Sequence, residues 1–295
     1  QANLQTTLAS SQTQIRQAET EIQTTKNALE QDNIALEQAR IALNQAELTL
    51  SELETSRDSA KVVLDNANAE LQRKVHKILR KHMDALKIDR GVVIIMDPTN
   101  GAVINLVSIP DFDSNLFELG ISQENFEKVI SDPAKPLFNR AISGEYPSGS
   151  TIKPIIAAAA LEEKILSPSF LIYSGGSIQV PSIHNSDVLY EFKDWKAHGW
   201  ADMRKAIADS INIYFYTIGG GFKDQEGLGI KKIEEYLQKF GWGKRLGIDL
   251  MGERSGLIPS PKWKKESKNE NWYIGDTYLT SIGQGDILVT PLQIA

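Results

Sequence analysis

The chain has 295 residues, 41% hydrophobic and 24% charged, so it can bury a core and is neither a disordered polymer nor a membrane-embedded bundle. Its 38 acidic and 32 basic side chains leave a net charge of −6, which argues against nucleic acid as a partner, since phosphate binding needs concentrated Lys and Arg. The absence of cysteine removes disulfide scaffolds, thiolate metal sites and cysteine nucleophiles together.

From the N-terminus, Gln1-Ala2-Asn3 without a Met or a signal peptide reads as a fragment boundary. No Gly, Pro, Phe, Tyr or Trp occurs before Gly91, and every such residue lies in 91–295. In the first stretch aliphatics recur every seven residues at Leu8, Ile15, Ile22, Leu29, Leu36, Leu43 and Leu50. After a break at Arg57 the phase resumes at Leu64, Leu71 and Ile78. Three residues after the early positions come mostly small side chains, Ser11, Ala18, Thr25, Ala39 and Ala46, with Asp32 the exception. One bulky and one small row make a heptad seam, which predicts an α-helical coiled coil over 1–70. About 70 residues of helix reach on the order of 100 Å. A stripe that narrow and long calls for a helix partner, within the chain or through self-association. A generic spacer is one reading. The other is a resemblance, since "NALEQDNIALEQARIALNQAELTL" is similar to the α-helical hairpin of periplasmic adaptor proteins.

From Gly91 the pattern changes to that of a globular domain. "GVVIIMDPTNGAVINLVS" predicts a β-hairpin around Asp97-Pro98-Thr99-Asn100-Gly101. Helical periodicity marks 125–130, 154–166 and 229–241, the last closed by Gly241. Strands mixed with helices in one block of about 200 residues predict an α+β or α/β domain. Within it "YPSGSTIKP" contains the S-x-x-K tetrad Ser150-Thr151-Ile152-Lys153. Pro147 and Gly149 make a turn, and Pro154 belongs in the first turn of a helix. Ser150 then sits at the positive end of a helix, with Lys153 one turn on. A serine hydroxyl needs an adjacent base to act as a nucleophile, and a lysine serves once burial lowers its pKa. The bland alternative is a capping serine and a surface lysine.

Ser210-Ile211-Asn212 places a hydroxyl and a carboxamide two residues apart, where both can converge on one cleft. The same S-x-N spacing at Ser267-Lys268-Asn269 lies in "WKKESKNEN" and reads as a solvated loop. These motifs resemble, in order, those of the transpeptidase domain of class B penicillin-binding proteins of the elongation-specific penicillin-binding protein 2 type. "ELQRKVHKIL" resembles the helix that opens such domains, and "GVVIIMDPTNGAVINLVSIPDFDSN" their first hairpin. "PLFNRAISGEYPSGSTIKP" and "DSINIYFYTIG" are similar to the first two catalytic segments, and "KFGWGKRLGIDLMGERSGLIP" and "TSIGQGDILVTPLQIA" to later ones.

The resemblance implies an α+β serine-transpeptidase domain over 71–295, related in fold to serine β-lactamases. It implies that Ser150 is the acylated nucleophile, Lys153 its base, Ser210 a proton relay, and Asn212 the residue that orients Lys153 and substrate. Gly149, Thr151, Gly283, Gln284 and Gly285 are implied as substrate-binding positions. Peptidoglycan stem peptides and β-lactams are the implied ligands, with no cofactor. The implied setting is the outer face of the bacterial cytoplasmic membrane, in the periplasm, with the elongation machinery as partner.

Three departures accompany it. The family's K-T-G motif would follow "TPLQIA", so the domain reads as incomplete and poorly active. Where family members carry a membrane anchor and a β-rich pedestal, this chain has a coiled coil, which reads as a fusion, an engineered join or a gene-prediction artefact near residues 65–72. Some relatives hold a metal near the loop corresponding to "FKDWKAHG"; Asp194 and His198 are candidate ligands, but two ligands and no cysteine predict no metal site. Two other functions stand beside the transpeptidase. One is an envelope adaptor or scaffold with an inactive catalytic domain. The other is a β-lactam sensor or β-lactamase-like protein, for which no E-x-x-L-N-type segment supplies a deacylating glutamate.

Overall fold

A computed structural model describes residues 2–118, 120–183, 185 and 187–295, the side chains of 2–6 excepted. It divides into two compact units, Gln1–Ala69 and Glu70–Ala295.

In the first unit every described residue belongs to helix α1 (Ala2–Leu86), whose remainder lies in the second unit. With no Gly or Pro to interrupt it, the helix passes through Arg57, which pairs with the adjacent Asp58 at 2.9 Å. The expected break in the seam is therefore a break in side-chain pattern and not in backbone. Leu8 through Leu50 of the heptad row are all more than half exposed, and so are Ile34, Ile41 and Leu48 of a second row. The unit is a single arm, and the return arm of a hairpin is not among its described residues. Among the described residues of the whole chain, no helix is long and apolar enough to cross a membrane.

In the second unit, Val75, Leu79 and Met83 of α1 pack with Val93, Val107 and Ile109 of the hairpin β1 (Gly91–Met96) and β2 (Val103–Ile109). The antiparallel register runs from Gly91↔Ile109 to Met96↔Val103, with an irregularity at Ile95/Met96. Asp97 closes the turn by accepting from the Thr99 N–H and hydroxyl, and Gly101 takes the positive φ of +76° that the turn requires. The other face of the hairpin, Val92, Ile94 and Met96, covers Ala141, Ile142 and Leu292. A near-continuous apolar strand such as GVVIIM fits burial on both faces.

Helices α2 (Gln123–Ser131) and α3 (Arg140–Ser143) follow, capped by Ser122 and Asn139. The main core is built on α4 (Lys153–Glu162), α6 (Asn212–Gly220), α7 (Gly229–Lys239) and α9 (Ile274–Ser281), with α6 buried almost throughout. Two small antiparallel sheets flank it, β3 (Ile172–Ser174) with β6 (Gly199–Ala201), and β4 (Ser177–Pro181) with β5 (Leu189–Lys193). The remaining helices are α5 (Met203–Ala208), α8 (Pro261–Lys268) and α10 (Pro291–Ile294).

Two sequence expectations are corrected here. Helix α4 ends four residues before the predicted Leu166, because Lys164 takes a left-handed φ of +55° and Ile165 N–H turns back to Ala160 O. No glycine announces that stop. Ser267 and Lys268 lie in α8 and not in a loop, because Ser260 caps the helix through Trp263 N, Pro261 opens it and left-handed Asn269 closes it. Local capping thus overrides the polar composition of that stretch.

Candidate active site

Ser150 lies in a 3-10 turn, Gly149–Ile152, that runs directly into α4. Pro154 falls in the first turn of α4, where its missing N–H has no intrahelical role. Gly149 adopts φ +55° and donates its N–H to Gly283 O at 2.8 Å. Gly283 itself has φ +72°, and a Cβ there would lie 2.1 Å from Gly149 O. The two backbones can approach this closely because residue 283 is glycine, whereas a Cβ at Gly149 would meet nothing within 4 Å. The segment carrying Gly283 is held by reciprocal backbone bonds between Tyr146 and Val289, at 2.9 and 2.8 Å.

Lys153 is 2% exposed. Its ammonium donates to Ser210 O at 2.8 Å, to Ser210 Oγ at 3.0 Å and to Asn212 Oδ1 at 2.7 Å. Its Nζ lies 5.3 Å from the centroid of the Phe215 ring. Burial pushes its pKa down to about 8, against the opposing pull of the Asp194 carboxylate. Ser210 Oγ in turn donates to Ser150 Oγ at 2.8 Å. No hydrogen bond joins Lys153 to Ser150, so the lysine reaches the serine through the Ser210 hydroxyl.

Ser210 occupies the turn between α5 and α6 with φ +53°, a left-handed position where glycine is the usual residue. Its N–H bonds Ile207 O and the next N–H bonds Ala206 O, closing α5. A non-glycine held there costs about 1–3 kcal/mol, and such strain concentrates at functional sites. Asn212 opens α6 with its amide oxygen on Lys153.

The remaining candidates divide. Gly149 and Gly283 meet, as described, beside Ser150. The Thr151 hydroxyl donates to Ser148 O at 2.8 Å and so serves the turn. Gln284 and Gly285 are exposed in the loop that follows Gly283. The side chains of Asp194 and His198 are both buried, with His198 Nε2 3.8 Å from Asp194 Oδ1. Asp194 Oδ1 accepts from Trp195 N at 2.9 Å, and Oδ2 from Ile213 N at 3.1 Å and Ser174 Oγ at 3.2 Å. Among the described residues no group of three His, Cys, Asp or Glu side chains is arranged so that it could hold a metal ion. Both Asp194 oxygens accept from protein donors, which fixes the orientation of the carboxylate. Sequence reasoning missed the field of Asp194 and the ring of Phe215 at Lys153, for no local signal links positions 41 and 62 residues away.

Residues 91–295 match the sequence profile of a family described as the penicillin binding protein transpeptidase domain. The peptidoglycan D,D-transpeptidase MrdA of Haemophilus influenzae is 37% identical over 208 residues, which are 70% of this chain and 30% of that protein. The Escherichia coli K12 protein of the same name is 36% identical over the same length. Thus the chain spans about a third of the length of the curated relatives it matches. In fold it is similar to PBP2 of Pseudomonas aeruginosa, with TM-score 0.64 and 33% identity over 72% of this chain and 44% of that one. PBP2 from Helicobacter pylori, solved in complex with MreC, gives TM-score 0.63 and 33% identity over 73% and 38%.

Proposed function

Because the chain belongs to the penicillin binding protein transpeptidase domain family, we propose that residues 70–295 act in peptidoglycan D,D-transpeptidation through an acyl-enzyme on Ser150. The observation that carries this is the hydrogen-bonded path Ser150–Ser210–Lys153–Asn212. In acylation, Ser150 Oγ attacks the carbonyl carbon of the penultimate D-Ala of a stem peptide. Its proton passes to Ser210, whose own proton passes to neutral Lys153. Collapse of the tetrahedral intermediate breaks the peptide bond, and the departing D-Ala amine recovers that proton along the same path. An amine from a neighbouring stem then attacks the ester, gives up a proton and releases the cross-link, restoring Ser150. The hydrogen bonds observed, Lys153 to Ser210 to Ser150, run in the polarity of protonated Lys153. Proton abstraction reverses them, so the lysine must first be neutral, and burial favours that form.

A β-lactam presents a strained amide to the same serine. The whole protein would work at the outer face of the cytoplasmic membrane with elongation machinery, a reading supported by the Helicobacter pylori PBP2 solved with MreC. Residues 1–69 would engage a helix partner or a second copy through their exposed apolar rows, forming a coiled coil. Those rows also favour the second reading, a scaffold with an inactive catalytic unit.

Incubation with a pentapeptide ending in D-Ala-D-Ala and an amine acceptor separates the two. Release of D-Ala matched by transfer product, abolished in Ser150→Ala, is expected. No release from the folded protein would move the assignment to the scaffold.

A further inference from the structure

The Lys153 cluster has a fixed point outside the motifs that define it. Helix α6 begins without help from its own sequence, since Ile211 at its N-terminus has no side chain able to cap it. Asp194, at the end of β5, supplies what is missing by accepting from the Ile213 N–H, one residue after Asn212. Its carboxylate is also bonded to Ser174 Oγ in β3 and to Trp195 N, and its own N–H is bound to Gly176 O. The first turn of α6, which presents Asn212 to Lys153, is thereby pinned to both small sheets. His198 Nε2 faces the carboxylate at 3.8 Å without a hydrogen-bond partner, while His198 Nδ1 faces Asp209 Oδ2 at 3.8 Å. Lys153 and Tyr216 feel its charge, and the Tyr216 hydroxyl is committed to Lys193 O.

We propose that Asp194 is a positioning residue for the Ser150 reaction, capping α6 from outside the helix so that Asn212 holds Lys153 in register, with its negative charge acting on that lysine. This rests on the acyl-enzyme reading above. Asp194 touches neither substrate nor Ser150, so its contribution is geometric and electrostatic.

The test is the rate of acylation by a fluorescent penicillin across pH, with separate values for reversible binding and for the acylation step. In Asp194→Asn one oxygen can still accept from Ile213 N–H, but the charge is gone. The lysine then loses its protonation more readily, and the rising limb of the profile should shift to lower pH. In Asp194→Ala the cap is lost as well, and the acylation step should slow on the order of 10- to 100-fold with binding little changed. Asp194→Glu, which keeps the charge, should keep the wild-type inflection. If the Asp194 variants fail to fold, Ser174→Ala loosens the same carboxylate with its charge intact, and should slow acylation several-fold at an unchanged inflection. A profile for Asp194→Asn that superimposes on wild type, or an unchanged acylation step in Ser174→Ala, overturns the proposal. Absence of acylation in the wild-type protein would instead overturn the functional reading beneath it.

Discussion

The proposed chemistry turns on Ser210, whose hydroxyl stands between Ser150, the proposed nucleophile, and Lys153, its proposed base. That hydroxyl bonds Ser150 Oγ and receives Lys153 Nζ, so Ser210→Ala breaks the hydrogen-bonded route between them. Acylation by penicillin should fall about 10²–10⁴-fold in that variant, the range for losing a positioned proton-transfer group. Stopped-flow or quench measurement of the rate constant checks it. The pH dependence has a definite sign. Burial lowers the Lys153 pKa to about 8, and only its neutral form can accept a proton. Acylation should therefore rise with pH through about 8 and level off above it. The S-x-x-K and S-x-N patterns made Ser150, Lys153, Ser210 and Asn212 visible in the sequence, because spacing along one turn is local information. The left-handed backbone of Ser210 was not visible, since serine gives no sign of the positive φ it adopts. Nor was the capping of α6 by Asp194, which joins two segments far apart in the chain.

Among the elements, the apposition of Gly149 and Gly283 sets the position of the turn that carries Ser150. Gly283→Ala would drive a Cβ to 2.1 Å from Gly149 O at φ +72°. Either the turn or the 283–285 loop must move, and the expected result is a lowered melting temperature together with lost acylation. A milder change is expected at the start of α8. There Ser260→Ala removes the acceptor for Trp263 N and should cost about 1 kcal/mol in denaturant unfolding, with acylation preserved. The elements that read well in advance were the hairpin and α7, where a turn signal or a closing glycine stood beside a strong period. Those that read poorly, the end of α4 and the whole of α8, are bounded by Lys164 and Asn269. Both residues take left-handed backbone without the glycine that usually marks it.

On the scale of the whole molecule, the two units differ in what stabilises them. Glu70–Ala295 closes around the core built on α4, α6, α7 and α9. Residues 7–69 bury no large apolar side chain, so tertiary packing contributes little to the stability of their helix. Sedimentation of the full chain should show association that weakens when Leu36 and Leu43 are both replaced by lysine, with acylation of Ser150 unaffected. Composition changes at Gly91, where glycine, proline and aromatic residues all begin, while the compact units divide at Ala69/Glu70. The helix nevertheless runs on to Leu86, because Val75, Leu79 and Met83 give its end an apolar face to bury against the hairpin.

If Ser150 is an activated nucleophile, intact mass spectrometry after incubation with a fluorescent penicillin will show it. One stable adduct, mapped to the peptide containing Ser150 and absent from Ser150→Ala, is the expected result. A folded protein that takes up no adduct, or takes one that survives in Ser150→Ala, would contradict it.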